Sequence, residues 1–246
     1  MDQWCLHELK IAKVQYKIGP KKKGMVTPVR ITNGKIGPIQ YKNGSKNARP
    51  LMDCRTALAL YRIYPILRAN GGVKEVYVGK FYSYRYVKNS SRLSRHASGH
   101  ALDIYGVKLD DGKKYTVKND YEKGLGSGRI CLGKPQTRGA RILRQLACDM
   151  DWSHYFRNIL TPDSDREHLN HFHISTYRRG EAKKRKYRTV LLEPAHYHKK
   201  WVRRHSRKGY PGIKRVWMVV KARRSANRRL IRRLNRQKRR RKRKKK

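Results

Sequence analysis

The chain has 246 residues, with 64 Lys and Arg against 16 Asp and Glu, for a formal net charge of +48. That length supports one sizeable core, or a domain with an extension. No run of about eighteen apolar residues occurs, so no membrane-spanning helix is expected. Residues 1–20 hold neither an apolar h-region nor a small-residue cleavage site, so no secretory signal is expected either.

The charge is unevenly spread. Residues 178–246 contain 32 of the 64 Lys and Arg and only Glu181 and Glu193 as acids, a net +30; residues 1–177 account for the remaining +18. Such a field draws polyanions: nucleic acid, anionic lipid, teichoic-type polymers or peptidoglycan carboxylates. It brings association rather than chemistry. Cys5, Cys54, Cys131 and Cys148 are the four cysteines, and none stands in CxxC spacing. Two disulfides are open to them in three connectivities, as is the state of free buried thiols. Disulfides would place the working protein in an oxidising compartment.

Residues 1–50 are polar and punctuated by Gly, with short β-like runs. Met25 to Ile31 reads as a strand that Pro28 confines to an edge or a strand start. Asn33-Gly34 reads as a turn and residues 36–41 as a second run, which together predict a hairpin-rich lead-in. Asp53 is placed to cap a helix from Cys54, with Ala57, Leu58, Leu60, Tyr61 and Tyr64 as its apolar face. Pro65 should bend or interrupt that helix and Asn70-Gly71 end it. Residues 73–86 read as a strand with Gly79 at a bulge.

Residues 91–100 read as loop and 101–109 as strand; Asp110-Asp111-Gly112 turns the chain into a hairpin partner at 114–117. Thr137 to Met150 predicts a second helix, with Ala140, Leu143, Ala147 and Met150 on one face. Ser153 is placed to cap a short helix through Leu160, which Thr161-Pro162-Asp163 breaks. Residues 171–177 predict the last core strand. Past 178 the composition shifts. Residues 189–192 and 213–222 are apolar enough for strands, Leu230, Ile231 and Leu234 suggest a helix, and 239–246 should be unstructured when free.

Two segments carry the chemistry. Strand alternation puts His171, His173, Ser175 and Tyr177 on one face and Phe172, Ile174 and Thr176 on the other. On the earlier strand Asp103 shares a face with Ala101 and Tyr105. Gly99 lets the preceding loop turn so that His96 reaches back. A carboxylate directly before Ile104 on a core strand is costly unless paired or metal-bound. Two imidazoles and one carboxylate suit zinc with a fourth position left for water. The single negative charge keeps such a site net positive, so bound water is acidified toward neutral pH.

The same residues carry a resemblance. Ser94, His96, Gly99, Ala101 and Asp103 resemble the SxHxxGxAxD signature of the zinc peptidases grouped as lysostaphin, D-Ala-D-Ala carboxypeptidase and hedgehog-fold proteins. His171-Phe172-His173 is similar to their second motif. More narrowly, the chain resembles the bacterial extensin-like C-terminal domain family. That likeness runs over residues 25–177, through Asp53-Cys54-Arg55, Tyr82-Ser83-Tyr84-Arg85, Arg92 to His96, Leu146-Ala147-Cys148, Leu160 to Asp163 and His168 to His173.

The resemblance implies that His96, Asp103 and His173 hold Zn2+ and that His171 orients or deprotonates the attacking water. It implies a substrate-facing or oxyanion-stabilising role for Arg85 and a positioning role for Ser94 toward a ligand. The hedgehog pattern would make Glu167 an alternative base. Asn170 departs from the Asp of many members, yet its amide oxygen still accepts a hydrogen bond. Tyr84 stands where some members carry Cys, which removes one disulfide pattern of the family.

The expected fold is α+β, hedgehog/DD-peptidase-like. It is a mainly antiparallel sheet of about four strands with helices on one side and the metal at one edge, followed by a basic C-terminal extension. Residues 1–177 form the domain and 178–246 the extension. The resemblance implies hydrolysis of amide bonds in peptidoglycan peptides in the cell envelope or outside it; phage-type or non-classical export would serve a chain without a signal. Two other readings belong to different classes. One is a non-catalytic wall-polymer-binding module of the same fold; the other is a nucleic-acid-binding protein driven by the basic extension.

Overall fold

In a computed structural model of the chain, residues 1–44, 46–79, 81–125, 130–131 and 133–181 are described. The basic stretch that holds the expected strands at 189–192 and 213–222 lies outside the described residues.

Asp2 accepts a hydrogen bond from the backbone of Cys5 and opens α1 (Gln3–Ile11), an element absent from the strand-rich lead-in expected there. The strands β1 (Tyr16–Ile18) and β2 (Pro28–Ile31) come next, then β3 (Lys35–Ile36), β4 (Ile39–Asn43), β5 (Lys46–Asn47) and β6 (Leu51–Asp53). Pro28 does begin its strand, but β2 is the middle of a three-stranded sheet in the order β1-β2-β6. It therefore forms no hairpin with the following run. That run makes its own, β3 against β4, around Gly37.

Helix α2 (Cys54–Ala69) starts at the Asp53 cap and ends at Asn70, as the sequence predicts. It runs through Pro65 uninterrupted. Proline removes one intrahelical donor, but the helix buries Ala57, Leu60, Ile63, Ile66 and Leu67, which outweighs that loss. Strand β7 (Val73–Val78) is shorter than the predicted 73–86. After it the chain leaves the sheet, and Ser83 donates to His96 O at 3.2 Å while Ser94 donates to Arg85 O at 3.0 Å. The expected second half of that strand thus becomes a rim over the His96 segment.

Strands β8 (Ala101–Leu109) and β9 (Lys114–Thr116) form the predicted hairpin. The short α3 (Val117–Asp120) leads toward α4 (Arg138–Trp152), which Thr137 caps. Ser153 does not open a helix. Its backbone donates to Asp149 O at 2.9 Å and its hydroxyl to Met150 O at 2.6 Å, which closes α4. His154, at φ 56°, reverses the chain, and residues 156–160 form β10 (Phe156–Leu160), paired with β11 (Phe172–Thr176). Ser caps either end of a helix through local bonds; only the partner strand decides the conformation of residues 156–160.

The main sheet has eight strands, ordered β10-β11-β8-β7-β4-β3 with β5 on β4 and β9 on β8, against the expected four or so. All its pairings are antiparallel except β4 with β7. The architecture is α+β, with α2 contacting β7 and β11 and α4 contacting β10 and α2. Leu102, Ile104, Phe172 and Ile174 are buried in this core. The opposite face of β8 and β11 carries Asp103, Tyr105, His173 and Ser175 beside the small, buried Ala101.

The four cysteines form Cys5–Cys54, joining α1 to α2, and Cys131–Cys148, joining the segment before α4 to that helix. This settles the connectivity and excludes free thiols in this structure.

Candidate metal centre

Three elements bring three ligand atoms together. Ser94 caps a 3-10 helix, Arg95–Ser98, and its side chain accepts from His96 N at 3.3 Å. Gly99 ends that turn at φ 65°, where a Cβ would lie 2.6 Å from Asp53 N. Only glycine enters this turn without strain. The turn delivers His96, buried to 2% exposure, over β8. Asp103 on β8 stands opposite His173 on β11 in an antiparallel register.

The result is a tight triangle. His173 Nδ1 lies 2.9 Å from Asp103 Oδ1, His96 Nε2 lies 3.2 Å from His173 Nδ1, and His96 Nε2 lies 3.3 Å from Asp103 Oδ1. Ligand bonds of zinc to N and O at tetrahedral angles set neighbouring donors about 3.3 Å apart. The donor set therefore fits a metal of that size and preference, and these three residues form the His/Asp group able to hold one among the described residues. The centre sits over two inner strands, not at the edge of the sheet as expected.

Charge and burial compete within the group. Burial works against the Asp103 carboxylate, but hydrogen bonds from His173 and His96 outweigh it and hold its pKa far below the usual range. Burial pushes the His173 and His171 pKa values down, and neighbouring imidazoles add to this against the opposing pull of Asp103. Both rings therefore favour the neutral, lone-pair-bearing form that ligation or proton uptake requires.

Residues 3–186 match the family described as extensin-like protein C-terminus. The chain belongs to that family. No curated protein and no solved structure matches it significantly.

In this extensin-like domain His171 stands beside the triangle, with Nε2 3.6 Å from Asp103 Oδ1. Its other nitrogen, Nδ1, lies 2.8 Å from Asn170 Oδ1. An amide oxygen only accepts, so Nδ1 carries the proton and Nε2 faces the centre with its lone pair. Arg85 lines the same cleft as His96, Asp103 and Tyr105, a hollow of about 710 Å3. Glu167 is not brought to the centre: its carboxylate pairs with Lys88 at 3.2 Å and is 58% exposed.

Two further residues join the site, to which the sequence pattern assigned no role. His168 packs its ring against His171 and His173, with centroids 5.1 and 5.6 Å away, and Asp165 holds its Nδ1 at 2.5 Å. The spacing of His168 and His171 on one turn of chain is visible in the sequence, but nothing in it distinguishes a site histidine from a loop histidine. Tyr105 stacks at 5.3 Å from the His171 ring. Burial, and then the Asp103 charge, push its phenol upward, so it remains a hydrogen-bond donor.

Contacts also cross the expected boundary at 177. Arg95, adjacent to His96, donates to Thr176 O at 2.9 Å and to Glu181 Oε1 at 2.6 Å. Arg157 on β10 reaches the same carboxylate. Glu181 thus ties the ligand-bearing turn to the outer strand.

Proposed function

We propose that this domain is a zinc-dependent hydrolase of amide bonds in peptidoglycan peptides, of DD-endopeptidase or DD-carboxypeptidase type, in the lysostaphin, D-Ala-D-Ala carboxypeptidase and hedgehog-fold group. The observation that carries the reading is the triangle of His96 Nε2, Asp103 Oδ1 and His173 Nδ1 with His171 Nε2 facing it. His96, Asp103 and His173 would hold the ion. Zinc in such a site supplies Lewis acidity and an acidified water.

The chain's own groups supply the rest. His171 accepts the proton of the attacking water at Nε2, while Asn170 keeps its ring turned toward the centre. Arg85 presents a guanidinium to the charge that develops on the carbonyl oxygen, or to a terminal carboxylate of the substrate. Ser94 fixes the turn from which His96 projects. Asp103 keeps both ligand imidazoles in place by hydrogen bonding and charge. The +30 of residues 178–246 would hold the domain on an anionic wall polymer. The two disulfides support an oxidising, extracytoplasmic setting.

Metal analysis of wild type beside Asp103→Ala and His173→Ala tests the centre. One zinc per chain is expected in the first and loss in both variants; equal zinc in all three sinks the site. Hydrolysis of crosslinked muropeptides tests the chemistry. A zinc-loaded protein with no turnover on any of them would leave the wall-polymer-binding reading instead.

A further inference from the structure

The cleft at the centre does not end there. A second hollow of about 610 Å3 adjoins it, and the two share Asn43 and Gly79. Gly79 leaves the junction without a side chain; a Cβ there would lie 2.8 Å from the Tyr105 ring. The second hollow has an apolar floor that includes Leu51 and Phe81, and a rim of Asn43, Lys46, Asn47 and Arg49. Phe81 is buried, whereas both cations are exposed.

Among the described residues the charge lining this hollow is all of one sign. On other faces of the body some cations meet carboxylates: Lys42 and Lys108 pair with Glu75, Arg62 with Glu8, Arg68 with Asp110 and Arg138 with Asp111. Lys46 and Arg49 make no ion pair among the described residues, and no carboxylate among them lines their hollow. Across both hollows the only acid among the described residues is Asp103, already committed to its imidazoles. Two cations and two amides above an apolar floor suit a chain with small apolar groups and carboxylates. Of the two rings that line it, Phe81 is buried and only Tyr82 is partly exposed, fewer than the run of open rings on which single-stranded nucleic acid stacks.

We infer that Asn43, Lys46, Asn47 and Arg49 form a subsite that takes an acidic peptide segment running from the metal cleft across Gly79. This rests on the hydrolase reading for the direction of the substrate, but the binding itself needs neither metal nor turnover. The cations act as point charges and bidentate donors to peptide carboxylates, and the amides bond to the peptide backbone.

The test is equilibrium anisotropy of a fluorescein-labelled peptide alternating alanine and glutamate, with the full chain at about 0.15 M salt, where long-range attraction to the basic extension is screened. Lys46→Ser/Arg49→Ser should weaken binding roughly tenfold. Lys10→Ser/Lys118→Ser removes the same charge from exposed positions outside both hollows and should leave affinity within about twofold. The glutamine counterpart of the peptide should bind wild type as weakly as the glutamate peptide binds the groove variant. Equal losses in the two double variants, or no preference for glutamate over glutamine, would overturn the subsite. So would tighter binding of a single-stranded oligonucleotide that depends on the same two residues. Zinc content, measured in parallel, reports on the centre alone. A protein without zinc that keeps the groove-dependent preference would refute the hydrolase reading and leave the subsite standing.

Discussion

Asn170 Oδ1 and His171 Nδ1 are 2.8 Å apart, and that bond settles which nitrogen of His171 faces the Asp103 carboxylate. An aspartate there would bind the same proton with a charge, so the amide retains the tautomer and gives up part of the electrostatic hold. An Asp in place of Asn170 would therefore change the strength of the hold on His171 rather than its orientation.

Asn170→Ala frees the His171 ring, and turnover should fall at unchanged zinc content, with Asn170→Asp restoring it or exceeding wild type. His171→Ala should cost about 100- to 10,000-fold in kcat, the usual worth of a positioned base. Glu167→Gln, which only loses a surface pair with Lys88, should stay near wild type. Steady-state kinetics on a muropeptide with zinc determined in parallel would check all four. A loss in Glu167→Gln matching that of His171→Ala would reverse the assignment of the base.

Arg144 is fully buried and donates to Asp163 Oδ2 at 2.8 Å, to Glu122 O at 2.9 Å and to Leu125 O at 3.0 Å. Asp163 also receives Tyr121 Oη and Gly124 N, so one pair anchors both the loop after α3 and the segment leading to His168. Arg144→Met leaves a buried carboxylate unpaired and should cost about 3–5 kcal/mol in urea denaturation. Replacing both partners, as Arg144→Met/Asp163→Leu, should cost clearly less than the single change. A single variant of wild-type stability would show that the pair is not what holds the loop.

Glu181 gives a pH signature. Burial opposes its charge, but Arg95, the backbone N–H of Arg178 and Arg157 outweigh it and draw its pKa from 4.5 down to about 2. A folded-state pKa below the unfolded one adds stability that is full above the unfolded value and is lost as pH falls through the folded one. Wild type should therefore exceed Glu181→Gln in urea midpoint at pH 6, and the difference should close between about pH 4.5 and pH 2. A gap that persists unchanged at pH 2 would assign the effect to packing instead of charge.

The disulfide between Cys5 and Cys54 closes a span of 49 residues and secures α1 to the helix behind the site. Cys5→Ser/Cys54→Ser should lower unfolding free energy by about 2–4 kcal/mol, measured in urea under non-reducing conditions. Zinc binding in the folded variant should persist, since neither cysteine touches the centre. Unchanged stability would mean that α1 is held by its contacts alone.

The sequence by itself singled out the three residues that meet in the triangle, and it determined most of the caps. Asp53, Thr137 and Ser94 act on amides two or three residues away, and a spacing of two residues lets His171 and His173 both face Asp103; such local relations are legible in the chain. Only the tertiary structure decided the rest. Alternation from Asp103 would put Val107 on the site face, but the register against β7 shifts between Tyr77 and Val78, and Val107 and Leu109 are buried. That irregularity lies at Tyr105, beside His171, and is set by pairing with another strand. Residues 156–160 became a strand because β11 offered an open edge. The disulfide connectivity, the Asp165–His168 pair at the centre and the continuation of the cleft past Gly79 arise in the same way. Each is a property of segments far apart in sequence, whose meeting no local periodicity encodes.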